Sequence, residues 1–91
     1  LTNPTWSIEW TPDSRKQLLK IDRPIQKRIL GFLNDRILDS QEPRRSGKRL
    51  TGTLSPYWSY RVGDYRIIVD IKDAELVILV VQLDHRRQIY N

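Results

Sequence analysis

The chain has 91 residues, 38% of them hydrophobic, with 16 lysines and arginines against 11 acidic residues and a net charge of +5; this fits one globular domain over 1–91 with little apolar material to spare. One histidine and no cysteine leave out a disulfide framework, thiolate chemistry and a structural zinc site. There is no apolar run of membrane-spanning length and no signal-peptide pattern, so a cytoplasmic location without a membrane partner is expected.

Trp6-Ser7-Ile8-Glu9-Trp10 alternates apolar and polar residues, the pattern of a half-buried first strand. Thr11-Pro12 ends it and opens a short helix, because threonine caps and proline loses no needed N–H at the first helical position. Asp22-Arg23-Pro24 repeats that signal. Ile25, Ile29, Phe32, Leu33 and Ile37 then form one apolar stripe on a longer helix reaching Leu38 or Asp39, with Gly31 a mild weakness and Pro43 beyond its end.

Arg44 to Ser55 has little periodicity and reads as a loop. From Pro43 to Gly63 there is no acidic residue, while Arg44, Arg45, Lys48, Arg49 and Arg61 carry five positive charges. The other eleven basic residues balance the eleven acidic ones, so the whole net charge lies in this segment, as a footprint on nucleic acid requires. A solvated basic loop would look the same by charge alone.

Tyr57 to Val69 reads as a hairpin turning at Gly63-Asp64, where glycine supplies the positive φ of a primed turn. Pairing outward sets Val62 opposite Tyr65, Arg61 opposite Arg66, Tyr60 opposite Ile67, Ser59 opposite Ile68 and Trp58 opposite Val69. One face is then apolar and the other sets two arginines side by side, a destabilising arrangement that an anion would offset. Lys72-Asp73-Ala74 is a turn, and the run Leu76 to Val81 predicts an inner strand covered on both faces, ending at Gln82-Leu83-Asp84. The order β-α-α-β-β-β predicts an α+β domain, a helix pair on one face of a mainly antiparallel four-stranded sheet. Two helices cover one face only. The other, with Arg61, Arg66 and Tyr57 (able to stack on a base), is left for a partner or substrate such as a phosphodiester backbone, with partial cover from Leu50 and Leu54.

Lys48-Arg49-Leu50-Thr51-Gly52, the block Tyr57 to Ile68 and His85-Arg86-Arg87-Gln88-Ile89-Tyr90 resemble the RelE toxins of bacterial and archaeal type II toxin–antitoxin systems. The resemblance implies a microbial-RNase-like fold, a ribosome-dependent endoribonuclease that cuts mRNA in the A site, and a RelB-like antitoxin partner. It assigns the anion-binding arginine to Arg66, a basic residue of the preceding strand to Arg61, a C-terminal arginine to Arg86 or Arg87, and a C-terminal tyrosine to Tyr90. Ser59 departs from the pattern, since the best-known members carry a basic residue there, and the C-terminal helix of some members is missing.

RNA brings its own nucleophile in the 2′-hydroxyl, so no cofactor or metal is required. Arg61, Arg66 and Arg86 would stabilise the phosphorane-like transition state through forked, permanently charged donors. Tyr90 or His85 would accept the proton: arginines favour a phenolate, while histidine titrates near neutrality unaided. Lys48, Arg49, Arg44, Arg45, Tyr57 and Arg87 are the candidate RNA contacts, with Arg44 and Arg45 reaching ribosomal RNA if they bind any. Two competing expectations are a ParE-like DNA gyrase inhibitor of the same fold and a non-catalytic RNA-binding module.

Overall fold

A computed structural model describes residues 4–85. Strand β1 (Ser7–Trp10) sits where the alternation places it and pairs in parallel with the last strand, Ile8 opposite Ile78 and Trp10 opposite Val80. Helix α1 (Pro12–Leu19) is capped by Thr11, whose hydroxyl accepts from the Ser14 amide at 3.1 Å. Two polar contacts tie it to the last strand: buried Ser14 Oγ donates to the Val80 carbonyl at 2.8 Å, and the Leu83 amide donates to Gln17 Oε1 at 2.8 Å. Buried backbone groups are expensive to leave unpaired, so these bonds fix how α1 lies on the sheet.

Helix α2 (Arg23–Leu33) begins at the second proline signal, with Asp22 at its cap and Pro24 in its first turn. It continues through Asn34–Asp39 in π-helical geometry, so the helical stretch ends where the apolar stripe predicts. Ile29, Leu33 and Ile37 of the stripe are fully buried against the sheet. Each contributes roughly 1.5–3 kcal/mol of apolar transfer.

The sheet has five strands rather than four. The extra one, β2 (Lys48–Arg49), lies within the stretch expected to be loop and pairs antiparallel with β3 (Trp58–Val62). Two residues are too short to show alternation, so no periodicity announces this strand. The hairpin of β3 and β4 (Tyr65–Lys72) has the pairing read from the sequence at all five positions. Gly63 at its turn has φ 56°, while Asp64 is not in the left-handed region, as a type II′ turn requires of its first central residue.

Strand β5 (Val77–His85) lies between β1 and β4, giving the order β1-β5-β4-β3-β2. It differs from expectation in three ways. Leu76 belongs to the preceding turn, at φ 54°. The run is not equally covered on both faces, for Ile78 and Val80 are buried while Val77, Leu79 and Val81 are half-buried. The strand also continues past Gln82 to His85, because a bulge resets its pairing: Val69 meets Val80, but Ile68 meets Gln82. Val81 is therefore the extra residue, and every side chain after it changes face. The core lies between the helices and one sheet face, with Tyr60, Val62, Ile67, Val69, Ile78, Val80 and Leu83 facing Leu18, Ile29, Leu33 and Ile37. No helix among the described residues is long and apolar enough to cross a membrane.

Candidate active site

On the sheet face away from the helices, the strand registers align two rows of side chains. Lys48, Ser59, Ile68 and Gln82 form one, running across β2, β3, β4 and β5. Arg61, Arg66 and Asp84 form the next. A cavity of about 570 Å³ opens over these rows, lined by Lys48, Ser59, Arg61 and Arg66, by Ser46, Gly47 and Leu50 at the β2 side, and by the hairpin turn from Gly63 to Tyr65. Three cations of the predicted site therefore share one concavity.

The two arginines are not equivalent. Arg61 is exposed. Arg66 Nη2 donates to Asp84 Oδ2 at 3.2 Å, with the two side chains only 26% and 13% exposed. Its Nε is buried without a hydrogen bond. The carboxylate comes from the neighbouring strand, and Asp84 is itself held at Oδ1 by Gln82 Nε2.

Ser59, the departure from the family pattern, is buried and small. The residue directly opposite it is Lys48. A cation thus stands beside the position where the pattern expects one, carried by the neighbouring strand.

Other basic residues are occupied elsewhere. Arg44 donates through both Nη atoms to Asp73, at 2.9 and 2.8 Å, and lies over Trp58 at 5.4 Å from the ring centroid. This pairing raises the Arg44 pKa and holds the Asp73 carboxyl below its usual range, in each case chiefly through their hydrogen bond. Arg45 pairs with Glu42 at 2.9 Å on the surface. Arg49 is exposed and registers with Trp58, out of phase with the cavity row. Tyr57 is half-buried just before β3, its amide donating to the Leu54 carbonyl at 2.9 Å, and it is not among the cavity-lining residues.

His85 registers with Tyr65 on the helix-side face, and the rings meet edge to face at 4.9 Å. The structure therefore places it with an aromatic partner rather than with the arginines. Arg86, Arg87 and Tyr90 lie outside the described residues. Beneath the rows, Tyr60 is buried in the core, its hydroxyl donating to the Pro43 carbonyl, and desolvation pushes its pKa up to about 12. That bond ties the start of the basic loop to the sheet floor.

Asp84 and Gln82 are the residues that sequence reasoning missed. Counting outward from the β4–β5 turn without a bulge sets Leu83 opposite Arg66 and Asp84 opposite Tyr65. The bulge at Val81 alters that count, and no residue type at this position announces it.

Known proteins share this architecture and sequence pattern. A family model described as the ParE toxin of the type II toxin–antitoxin system parDE matches residues 8–90. Toxin RelG of Mycobacterium tuberculosis is 31% identical over 85 residues, covering 93% of this chain and 95% of the relative. Among solved structures, the toxin–antitoxin complex RelBE2 from Mycobacterium tuberculosis superposes with a TM-score of 0.80 at 29% identity, covering 90% of this chain and 92% of that one. The archaeal RelE–RelB complex from Pyrococcus horikoshii OT3 gives 0.72 at 25% identity, over 91% and 97% of the two chains. The isolated Escherichia coli RelE toxin shares the fold at 0.73, with 16% identity over 94% and 92%. The resemblance seen in the central hairpin thus extends over nearly the whole chain, which belongs to the ParE toxin family of type II toxin–antitoxin systems, within the RelE/ParE superfamily.

Proposed function

We propose that this toxin is a ribosome-dependent endoribonuclease, one that inhibits translation by cleaving mRNA in the ribosomal A site without a metal ion. The observation that carries the reading is the placement of Arg61 directly opposite Arg66 in a cavity that Lys48 also lines. Like charges held opposite one another cost stability, and a phosphodiester is the ligand that repays the cost.

In this reading the substrate's 2′-hydroxyl attacks the adjacent phosphorus, the P–O5′ bond breaks, and a 2′,3′-cyclic phosphate remains. Arg66 and Arg61 bind the non-bridging oxygens and stabilise the charge that gathers there in the transition state, with Arg86 a third such donor. Lys48 contributes a compact point charge to the same phosphate row. Tyr90 is the proposed proton acceptor and His85 the alternative. The position of His85 beside Tyr65, on the far side of the sheet from the arginine row, favours Tyr90.

The proposed partner besides ribosome and mRNA is a RelB-like antitoxin. Two of the structural neighbours are complexes of a RelE-type toxin with its antitoxin, and the helices here expose Leu19, Leu30 and Leu38. A chain that folds as it binds could cover both those leucines and the basic face.

Purified protein added to translating ribosomes tests the main reading. Cleavage of mRNA with a 2′,3′-cyclic phosphate end is expected, and intact message in the presence of folded protein rejects it. The family description favours one other reading, a ParE-like inhibitor of DNA gyrase. Loss of gyrase supercoiling with no RNA product would select that one. RNA binding that survives Tyr90→Phe, with no cleavage by the wild type, would instead mark a non-catalytic module.

A further inference from the structure

Arg66 enters the cavity with part of its charge already engaged. Its Nη2 donates to Asp84 Oδ2 at 3.2 Å, Gln82 Nε2 donates to the other oxygen of that carboxylate, and Asp84 is only 13% exposed. This carboxylate is therefore gripped from both sides. The bulge in β5 is what brings it there, since the unshifted register would set Leu83 opposite Arg66. Bulges disrupt the ladder locally and characteristically re-aim side chains beside functional sites. Here the re-aimed group is a negative charge, in a row otherwise suited to anions.

We propose that Asp84 is a positioning residue for Arg66, holding the guanidinium in one orientation at the cavity while weakening its grip on RNA phosphate before reaction. The inference rests on reading the cavity as a phosphodiester site. The Asp84 contact takes up one guanidinium donor and offsets part of its charge, so Arg66 grips an incoming phosphate less tightly. Loss of ground-state affinity does not slow the chemical step, because only interactions stronger in the transition state accelerate it. A donor already oriented needs no reorganisation as charge develops, which is where the fixed guanidinium helps. Arg66 Nε is buried without a hydrogen bond, so among the described residues the Asp84 contact is the hydrogen bond that orients its guanidinium. Removing Asp84 should thus have two effects of opposite sign.

Three readouts test this in the full-length toxin. With a single-stranded RNA blocked by 2′-O-methylation at the scissile position, Asp84→Asn and Asp84→Ala should each bind about threefold to tenfold tighter than wild type, as expected when the Arg66 charge is no longer offset. In an Arg66→Ala background, Asp84→Asn should change that affinity by less than about twofold. Cleavage of mRNA on translating ribosomes, at saturating ribosome concentration, should fall about tenfold in Asp84→Ala and be partly restored in Asp84→Asn, which keeps an acceptor for Arg66. The Arg66 Nε–Hε signal, followed by 15N NMR, should move and broaden in Asp84→Ala but stay near its wild-type position in Asp84→Asn. Tightening that is absent, or that persists without Arg66, overturns the proposal, as does an Arg66 signal indifferent to Asp84. If the wild type cleaves nothing, the endoribonuclease reading fails while the binding and NMR comparisons still decide the link between Asp84 and Arg66. Should Asp84→Ala not fold, Asp84→Asn and Asp84→Ser carry the same comparisons.

Discussion

Arg61 and Arg66 stand directly opposite one another across the β3–β4 hairpin, and among the described residues a carboxylate, Asp84, holds Arg66 but none holds Arg61. Arg61 therefore brings an unbalanced positive charge to the pair. Replacing it with threonine, a good strand former of no charge, should stabilise the fold by about 0.2–1 kcal/mol. For a domain this size that corresponds to a rise in Tm of roughly 1–8 °C. RNA cleavage should fall at the same time. A melting curve and an activity assay on one preparation check both, and a variant that is less stable than wild type would show that the arginine pair is not under strain.

Arg66 is the cation whose removal should hurt most. On the proposed mechanism Arg66→Ala removes a donor from the transition state, and it also leaves the largely buried Asp84 without its counterion, so both activity and stability should drop. The rate should fall about 10²- to 10³-fold, the range for losing one well-placed donor. Arg66→Lys should restore little, because a point charge cannot reproduce the proposed fork between the Asp84 carboxylate and a phosphate. Rates measured on translating ribosomes, alongside Arg61→Thr, give the comparison directly.

Much of this site was legible before any coordinates. The hairpin register followed from one turn signal and period-two alternation, and it put Arg61 and Arg66 together because no irregularity intervenes between Val62 and Trp58. Likewise the stripe from Ile25 to Ile37 gave α2 its buried side, since burial follows helical periodicity closely. The reading stopped at features without periodicity. Strand β2 is two residues long, and the bulge at Val81 sits inside a run of apolar residues that fits either face. Both decide the charge of the site: β2 brings in Lys48, and the bulge brings in Asp84. Arg44, by contrast, stands among the candidate RNA contacts because a sequence cannot show that Asp73, 29 residues away, accepts from both of its Nη atoms.

Tyr60 makes stability depend on alkaline pH. Its folded-state pKa is pushed up to about 12 by burial, whereas an exposed tyrosine titrates near pH 10. Between those values the native state retains a proton that the unfolded chain has lost, so stability falls as pH rises through that window. At about 1.36 kcal/mol per pH unit the loss reaches roughly 2–3 kcal/mol by pH 12. Tyr60→Phe should flatten that alkaline decline. It should also cost about 1–2 kcal/mol at neutral pH, because the Pro43 carbonyl loses its buried donor. Denaturant unfolding at pH 7, 10 and 11.5 separates the two effects.

Lys48 and Arg44 offer a test of which basic residues meet RNA. Lys48 lines the cavity opposite Ser59, so Lys48→Ala should weaken binding to single-stranded RNA and lower the slope of log affinity against log salt by about 0.7, the value for one lost phosphate contact. Arg44 spends its guanidinium on Asp73 and on the face of Trp58. Arg44→Ala should therefore leave the salt slope within about 0.2 of wild type, because its charge is already paired with the Asp73 carboxylate through both Nη atoms. Its cost should appear in stability instead, at about 1 kcal/mol or less, since the pair is largely exposed and the aromatic contact is half-open. Salt titrations of both variants on the same RNA decide between them. Equal slopes for the two would mean that the basic segment acts as one diffuse charge and that the cavity does not single out Lys48.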